Sequence, residues 1–286
     1  MGLLFATAGI PRSAKKPDTI SGLEHIKELG LDGMELEFVQ GVRMNELLAN
    51  EIRKKKESLG LTLTVHAPYF INLNAREKEK ITASQIRIYE SARIGALCGA
   101  INVTFHVGFY LGDTPEKTYQ AIKKNLNTII RRLEKDKIKI RLTPELTGKP
   151  TQFGSLEELI RLVKELPAFV KTSAGTPRLG FCLDFSHFHA RSGGKNNSYT
   201  EFADALKKIK KGLGNEFLKR MHIHISGIKY SIKGEREHLN LQDSDFNYKD
   251  LLKALKDYKV EGILICESPN LEEDAMLMKS YYKSIK

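Results

Sequence analysis

A chain of 286 residues with 41% hydrophobic content is long enough to bury a large core and falls at the usual size of one α/β barrel. No stretch approaches the roughly 18 apolar residues of a membrane-spanning helix, and the start MGLLFATAGIPRSAKK carries its apolar run before its basic residues, the reverse of a secretory signal. A cytoplasmic protein with no membrane partner is therefore expected.

The three cysteines, Cys98, Cys182 and Cys266, stand far apart inside apolar segments. They read as small buried hydrophobes of a reducing compartment and not as a disulfide framework. The formal charge of +11 favours phosphate-bearing partners in general, but it is the placement of the basic residues that decides. The runs Arg53–Lys56 and Lys207–Lys211 fall in predicted helices, where they read as solvated faces.

From the N-terminus onward, short β-rich runs alternate with longer amphipathic segments. The predicted strands are 3–7, 33–38, 61–67, 102–107, 139–146, 179–186, 220–226 and 262–268. Between them, segments such as ITASQIRIYESARIGALCG and YQAIKKNLNTIIRRLEKD place apolar residues at the i, i+3, i+4 spacing of a helix with one buried face. Strict βα alternation demands a parallel sheet, and eight units without a long interruption predict a single-domain α/β protein, a (β/α)8 TIM barrel spanning residues 1–286. No GxGxxG or GxxxxGK[ST] follows the first strand, which argues against a dinucleotide or nucleoside-triphosphate fold. The stretch ARSGGKNNSYT (190–200) reads either as a lid or binding loop or as a plain solvated connection.

In such a barrel the C-terminal ends of the strands open on the active site. Strand three ends in His66 and strand four in His106. Strand five ends in Glu145, strand six in Asp184 with His187 three residues later, strand seven in His224, and strand eight in Glu267. Strand-end windows are roughly a tenth of a barrel sequence, so chance would place fewer than about one of the eight histidines there; four are found. Glu145, Asp184 and Glu267 lie in or directly after apolar runs (IRLTPEL, LGFCLDF, GILICES), where an unpaired carboxylate is costly to bury. Carboxylates and imidazoles together are the preferred ligands of Zn²⁺, Mn²⁺ or Fe²⁺. His222, two residues before His224, faces the same side one layer deeper and reads either as a core or orienting residue or as a ligand. His189 is open in the same way. Glu35 and Glu37 share one face of strand two and could orient a ligand histidine, and His25 reads as an ordinary helix residue.

These motifs, VHAPYFINLN (65–74), FHVG around His106, CLDFSH around Asp184 and His187, HIS in strand seven and CESPN after strand eight, resemble the endonuclease IV family of apurinic/apyrimidinic endonucleases. The resemblance runs in order over nearly the whole chain. It implies that His66 and His106 bind one metal and Glu145 bridges to a second. It also implies that Asp184, His224 and Glu267 complete the second and that His187 serves a third. Zinc is the expected ion, at two sites or three, with manganese or iron as alternatives. The implied reaction is hydrolysis of DNA 5′ to an abasic site by a monomeric enzyme, with Glu145 as the catalytic residue.

The sequence departs from the family pattern after strand seven, where an Asp-x-His pair is replaced by Gly234-Glu235-Arg236-Glu237-His238-Leu239. One register puts His238 and Arg236 in the two places, and another puts Glu237 and Glu235. The residues after His238 favour the first, so His238 is expected beside His187, with a carboxylate from Glu235 or Glu237 or with water. Leu146 also stands where the family has an asparagine.

The loops on the catalytic face carry Arg12, Lys15, Lys16, Arg43, Lys149, Arg191, Lys195, Lys229, Lys233 and Arg236, which suits a polyanion. Among these, Lys15, Lys16 and Arg43 are the expected DNA contacts. Tyr69 and Phe70 follow His66 on the loop that, by resemblance, inserts side chains at the damaged base stack; half-buried loop packing is the alternative. Two competing functions remain open. One is a xylose isomerase-like sugar isomerase or epimerase, with one metal at Glu145, Asp184, His224 and Glu267 and the paired glutamates Glu145 and Glu267 moving a proton. The other is a non-enzymatic DNA-binding or regulatory barrel.

Overall fold

The computed structural model describes residues 2–166 and 178–285. In chain order its elements begin with β1 (Leu3–Ala8), α1 (Thr19–Glu28), β2 (Gly33–Glu37), α2 (Glu46–Leu59), β3 (Thr62–His66) and α3 (Lys78–Leu97). There follow β4 (Asn102–Phe105), α4 (Pro115–Lys135), β5 (Arg141–Pro144), α5 (Leu156–Glu165), β6 (Cys182–Asp184) and α6 (Phe185–Arg191). The remainder is α7 (Tyr199–Leu213), α8 (Asn215–Leu218), β7 (Met221–Ile225), β8 (Gly227–Ser231), β9 (Gly234–Leu239), α9 (Tyr248–Asp257), β10 (Gly262–Cys266) and α10 (Glu272–Ser284). No helix among the described residues is long and apolar enough to cross a membrane.

The chain divides into two compact units, one of residues 1–34, 147–150 and 182–286, the other of residues 35–146 and 151–181. In the first, the parallel strands run in the order β1-β10-β7-β6. In the second, β3, β4 and β5 pair in parallel, and β5 continues through a parallel bridge from Leu142 to Leu179. Eight parallel strands in βα alternation are the (β/α)8 barrel that the alternation predicts. Among the additions to that alternation are the short helices α6 and α8 and the antiparallel hairpin β8–β9, a segment expected as a loop.

Apart from β1, which runs one residue further, the observed strands are shorter than the β-rich runs, and for two of them a local cause is visible. β5 ends at Pro144, which has no N–H with which to continue a ladder. β6 ends at Asp184 because its carboxylate accepts from the His187 backbone N–H at 2.6 Å and starts α6 at once. Helix starts follow the same chemistry: Thr114 caps α4 with Pro115 in the first turn, and Ser155 and Glu158 form a reciprocal capping box on α5. In α7 Lys207, Lys208, Lys210 and Lys211 are exposed while Ile209 is buried, so this basic run is a solvated face. All three cysteines are buried thiols outside any disulfide among the described residues, and burial pushes the Cys98 and Cys266 thiols up to about 12. Around Ser192 the 190–200 stretch is organised, with its hydroxyl accepting from the N–H groups of Lys195 and Asn196.

Gly262 opens β10 at φ +121°, and a Cβ there would lie 2.1 Å from the Met221 carbonyl oxygen. The strand that carries Glu267 can therefore start only with glycine. Gly262→Ala is expected to lower stability by roughly 2–4 kcal/mol, seen as a lower denaturant midpoint at unchanged slope. A midpoint within error of the parent would show that the strand start relaxes freely.

Candidate metal centre

In the unit of residues 35–146 and 151–181, the ends of three neighbouring strands bring together His66, His106 and Glu145. Their ligand atoms all lie within 4.8 Å of one another. Nε2 of His66 and of His106 are 3.2 and 3.1 Å from the same Glu145 oxygen, Oε2. Glu145 and His66 are almost wholly buried, at 1% and 2% exposure. A carbonyl can only accept, so the 2.7 Å contact between His66 Nδ1 and the Ala67 oxygen places a proton on Nδ1 and turns Nε2 towards Glu145, where it could meet an ion.

Burial opposes charging of His66. The hydrogen bond to Glu145 and the charges of Glu145, Glu37 and Glu35 outweigh it and raise the imidazole from 6.5 to about 10. Glu35 is buried and accepts from the Thr64 hydroxyl at 2.7 Å, which holds its charge close to His66.

In the other unit, Asp184, His224 and Glu267 form a second set, again with ligand atoms within 4.8 Å of one another. His224 Nδ1 lies 3.2 Å from Glu267 Oε1, and Asp184 and His224 are fully buried. A third set, His187, Glu235 and His238, stands beside it. His187 sits in the first turn of α6, with Nδ1 3.3 Å from Asp184 Oδ2 and Nε2 3.4 Å from Glu235 Oε2. Its ring centroid is 5.7 Å from that of His238.

Neither simple register of the 234–241 segment describes that third set. On a regular strand Glu235 and His238, three residues apart, would face opposite sides. The hairpin pairing steps from Lys229 opposite Glu237 to Tyr230 opposite Glu235. Arg236 is thereby bulged out, and the bulge returns Glu235 and His238 to one face. Glu237 is directed elsewhere and pairs with Lys229 at 2.8 Å. Gly148 makes room for the arrangement, since a Cβ there would be 2.6 Å from Glu235 Cβ and 2.9 Å from the His187 ring. The sequence reading missed Gly148, although a glycine three residues after a strand-end glutamate is a signal of close approach. A fourth buried group, Cys182, His222 and His224, lies within the same unit as the second set. His189 is buried and belongs to none of these sets; its Nε2 lies 3.3 Å from Asp245 Oδ1.

Tyr69 and Phe70 are exposed at 56% and 65%. The Tyr69 ring centroid is 5.3 Å from that of His66 and 6.3 Å from that of His106, so an aromatic face borders the first set. Lys15, Lys16 and Arg43 are exposed and outside the three sets. Two other basic residues are committed internally. Arg191 donates to the Thr147 and Lys149 carbonyls and the Thr147 hydroxyl, and Lys229 is held by Glu237.

Mixed imidazole and carboxylate donors with little exposure are the donor chemistry of zinc, manganese or iron(II). The residues present therefore fit divalent ions in all three sets.

Over residues 23–282 the sequence matches the xylose isomerase-like TIM barrel family. An uncharacterized protein of Methanocaldococcus jannaschii is 44% identical over 99% of this chain and 98% of its own length. A probable endonuclease 4 of Mycoplasma genitalium is 24% identical over 85% of this chain and 81% of its own length. Endonuclease IV from Thermus thermophilus superposes with a TM-score of 0.73 at 19% identity, covering 98% of this chain and all of that one. A D-tagatose 3-epimerase-like protein gives a TM-score of 0.72 at 17% identity, covering 98% and 96%. At such identities the two structures establish the fold and leave the reaction open. With eight parallel βα units, imidazole and carboxylate sets at the strand ends and a match over most of its length, the chain belongs to the xylose isomerase-like TIM barrel family.

Proposed function

We propose that the protein is a divalent-metal-dependent phosphodiesterase that hydrolyses DNA 5′ to abasic sites, with zinc as its ion. The observation that carries this reading is the His66, His106 and Glu145 set, for which a sugar isomerase with a single ion has no use. The third set, His187, Glu235 and His238, supports it in the same sense, as does the similarity to probable endonuclease 4 proteins. Divalent ions in such sets supply positive charge for the non-bridging oxygens of a phosphodiester and lower the pKa of water towards about 7.

The chain's own residues provide the rest. His66 keeps its Nδ1 proton for the Ala67 carbonyl and offers Nε2 inward, while Glu145 supplies the negative charge that both imidazoles face. Tyr69 and Phe70 offer an exposed aromatic pair able to stack on or wedge between bases. Lys15, Lys16 and Arg43 are exposed cations for phosphates, and the enzyme works as a monomer in the cytoplasm. A ketose epimerase is the second reading, favoured by Asp184, His224 and Glu267 alone and by the epimerase-like structural neighbour.

The decisive experiment is incubation of the purified protein with duplex DNA holding one abasic analogue, with and without a chelator, beside a parallel assay on ketoses. A single cut leaving a 3′-hydroxyl, abolished by the chelator, is expected; ketose turnover with intact DNA would overturn the proposal. Glu145→Gln should lower cleavage on the order of 10²- to 10³-fold, the scale of losing one key electrostatic group, with the circular dichroism spectrum unchanged. Full activity in that variant would show that the site lies elsewhere.

Two further outcomes follow from charge. Replacing both Lys15 and Lys16 with Ala should reduce the slope of log K against log salt by about one per lysine, which binding titrations at several salt concentrations would read. Because the proton on His66 is held up to about 10 in the ion-free chain, zinc added at pH 7 must displace it. Release of close to one proton per chain is expected in weakly buffered indicator solution, and zinc affinity should fall as the pH drops. The sign is opposite for the ion-free fold: the His66–Glu145 pair stabilises it fully below the ordinary 6.5 and ceases to do so as the pH rises through about 10.

A further inference from the structure

His222 and His224 stand two residues apart on β7, so their side chains leave the strand on the same side, one layer apart. Both rings are fully buried. Nδ1 of His224 faces a carboxylate, 3.2 Å from Glu267 Oε1, whereas its Nε2 lies 3.1 Å from Nε2 of His222. The ring planes are inclined by 67° with centroids 4.9 Å apart, an edge-on contact that directs an N–H of one ring at a lone pair of the other. Two ring nitrogens at that distance share one proton, and one donates while the other accepts.

We infer that His222 is a positioning residue that keeps the proton of His224 on Nε2, so that Nδ1 presents its lone pair to an ion held with Asp184 and Glu267. A neutral imidazole that gives Nδ1 to a cation must carry its proton on Nε2, and that buried N–H needs an acceptor. His222 Nε2 supplies it, which assigns the His222 proton to Nδ1. The relay sets both the tautomer and the tilt of the ligand ring, a task that hydrogen-bonded neighbours of metal-ligating histidines commonly perform.

Cys182 lies close to the pair, and Cys182, His222 and His224 would also make a sulfur and nitrogen set for a soft ion. Two features favour the relay. The set offers only three donors, all at 0% exposure, and the His224 nitrogen on that side, Nε2, already lies within hydrogen-bond distance of His222 Nε2. The inference rests on ion binding by Asp184, His224 and Glu267 and is independent of what the protein does to DNA.

The test is zinc competition against a fluorescent chelator, with elemental analysis, on the full-length protein and on His222→Leu, His222→Gln and Cys182→Ala. His222→Leu should weaken one class of zinc site roughly 10- to 100-fold, the usual effect of removing a ligand's hydrogen-bond partner, and leave the other classes unchanged. His222→Gln, whose amide oxygen can accept from His224 Nε2, should restore most of that affinity, and Cys182→Ala should alter neither affinity nor ion count. Imidazole ¹⁵N spectra of the zinc-loaded parent should show His224 protonated on Nε2. Parent-like affinity in His222→Leu would overturn the inference, as would a glutamine variant no better than leucine. Loss of one ion in Cys182→Ala would overturn it in favour of a soft-ion site. A parent protein that binds no zinc at all would instead overturn the metal reading on which the relay depends.

Discussion

The structure turns on the cost of keeping carboxylates away from water. Glu145 and Asp184 are buried almost completely at strand ends, and a charge in that position is tolerated only with a cation or a dense set of hydrogen bonds around it. In each unit the surrounding residues answer that demand with imidazoles: His66 and His106 against Glu145, and His224 and His187 against Asp184 and Glu267. The donors at the ends of hydrogen-bonded strands are held in place by the sheet, the preorganisation that a tight metal site would need.

The same demand explains the features around the sets. The Nδ1 proton of His66 is spent on the Ala67 carbonyl, and the Nε2 of His224 meets His222. In both cases one ring nitrogen is satisfied within the protein and the other faces the carboxylates. Gly148 leaves the space into which Glu235 and His187 close, and the bulge at Arg236 brings His238 round beside them. A plain hairpin would have turned Glu235 and His238 to opposite faces.

The basic character of the chain has less to do with the site than its total suggests. Much of the charge lies on the solvated faces of helices such as α7, and Arg191 and Lys229 hold loops and the hairpin together. Exposed cations remain in the loops, among them Arg12, Lys15, Lys16, Lys195, Lys233 and Arg236 in one unit and Arg43 in the other, where Tyr69 and Phe70 are exposed as well. Placement, and not net charge, is what a phosphate backbone would sense.

Local periodicity was enough to determine the alternation of eight strands with helices and the strand ends at which His66, His106, Glu145, Asp184, His224 and Glu267 stand. Periods of two and of 3.6 residues are properties of short segments. Strand lengths were less legible, because Pro144 and the capping carboxylate of Asp184 end β5 and β6 inside apolar runs. The partners of individual polar atoms were decided only in the folded chain. Whether Glu235 or Glu237 joins His187 depended on a bulge set by pairing with β8, and whether His222 meets His224 edge-on depended on how the two rings pack in the core. Both outcomes rest on backbone pairing and ring packing that appear only in the folded chain, and periodicity alone does not encode them.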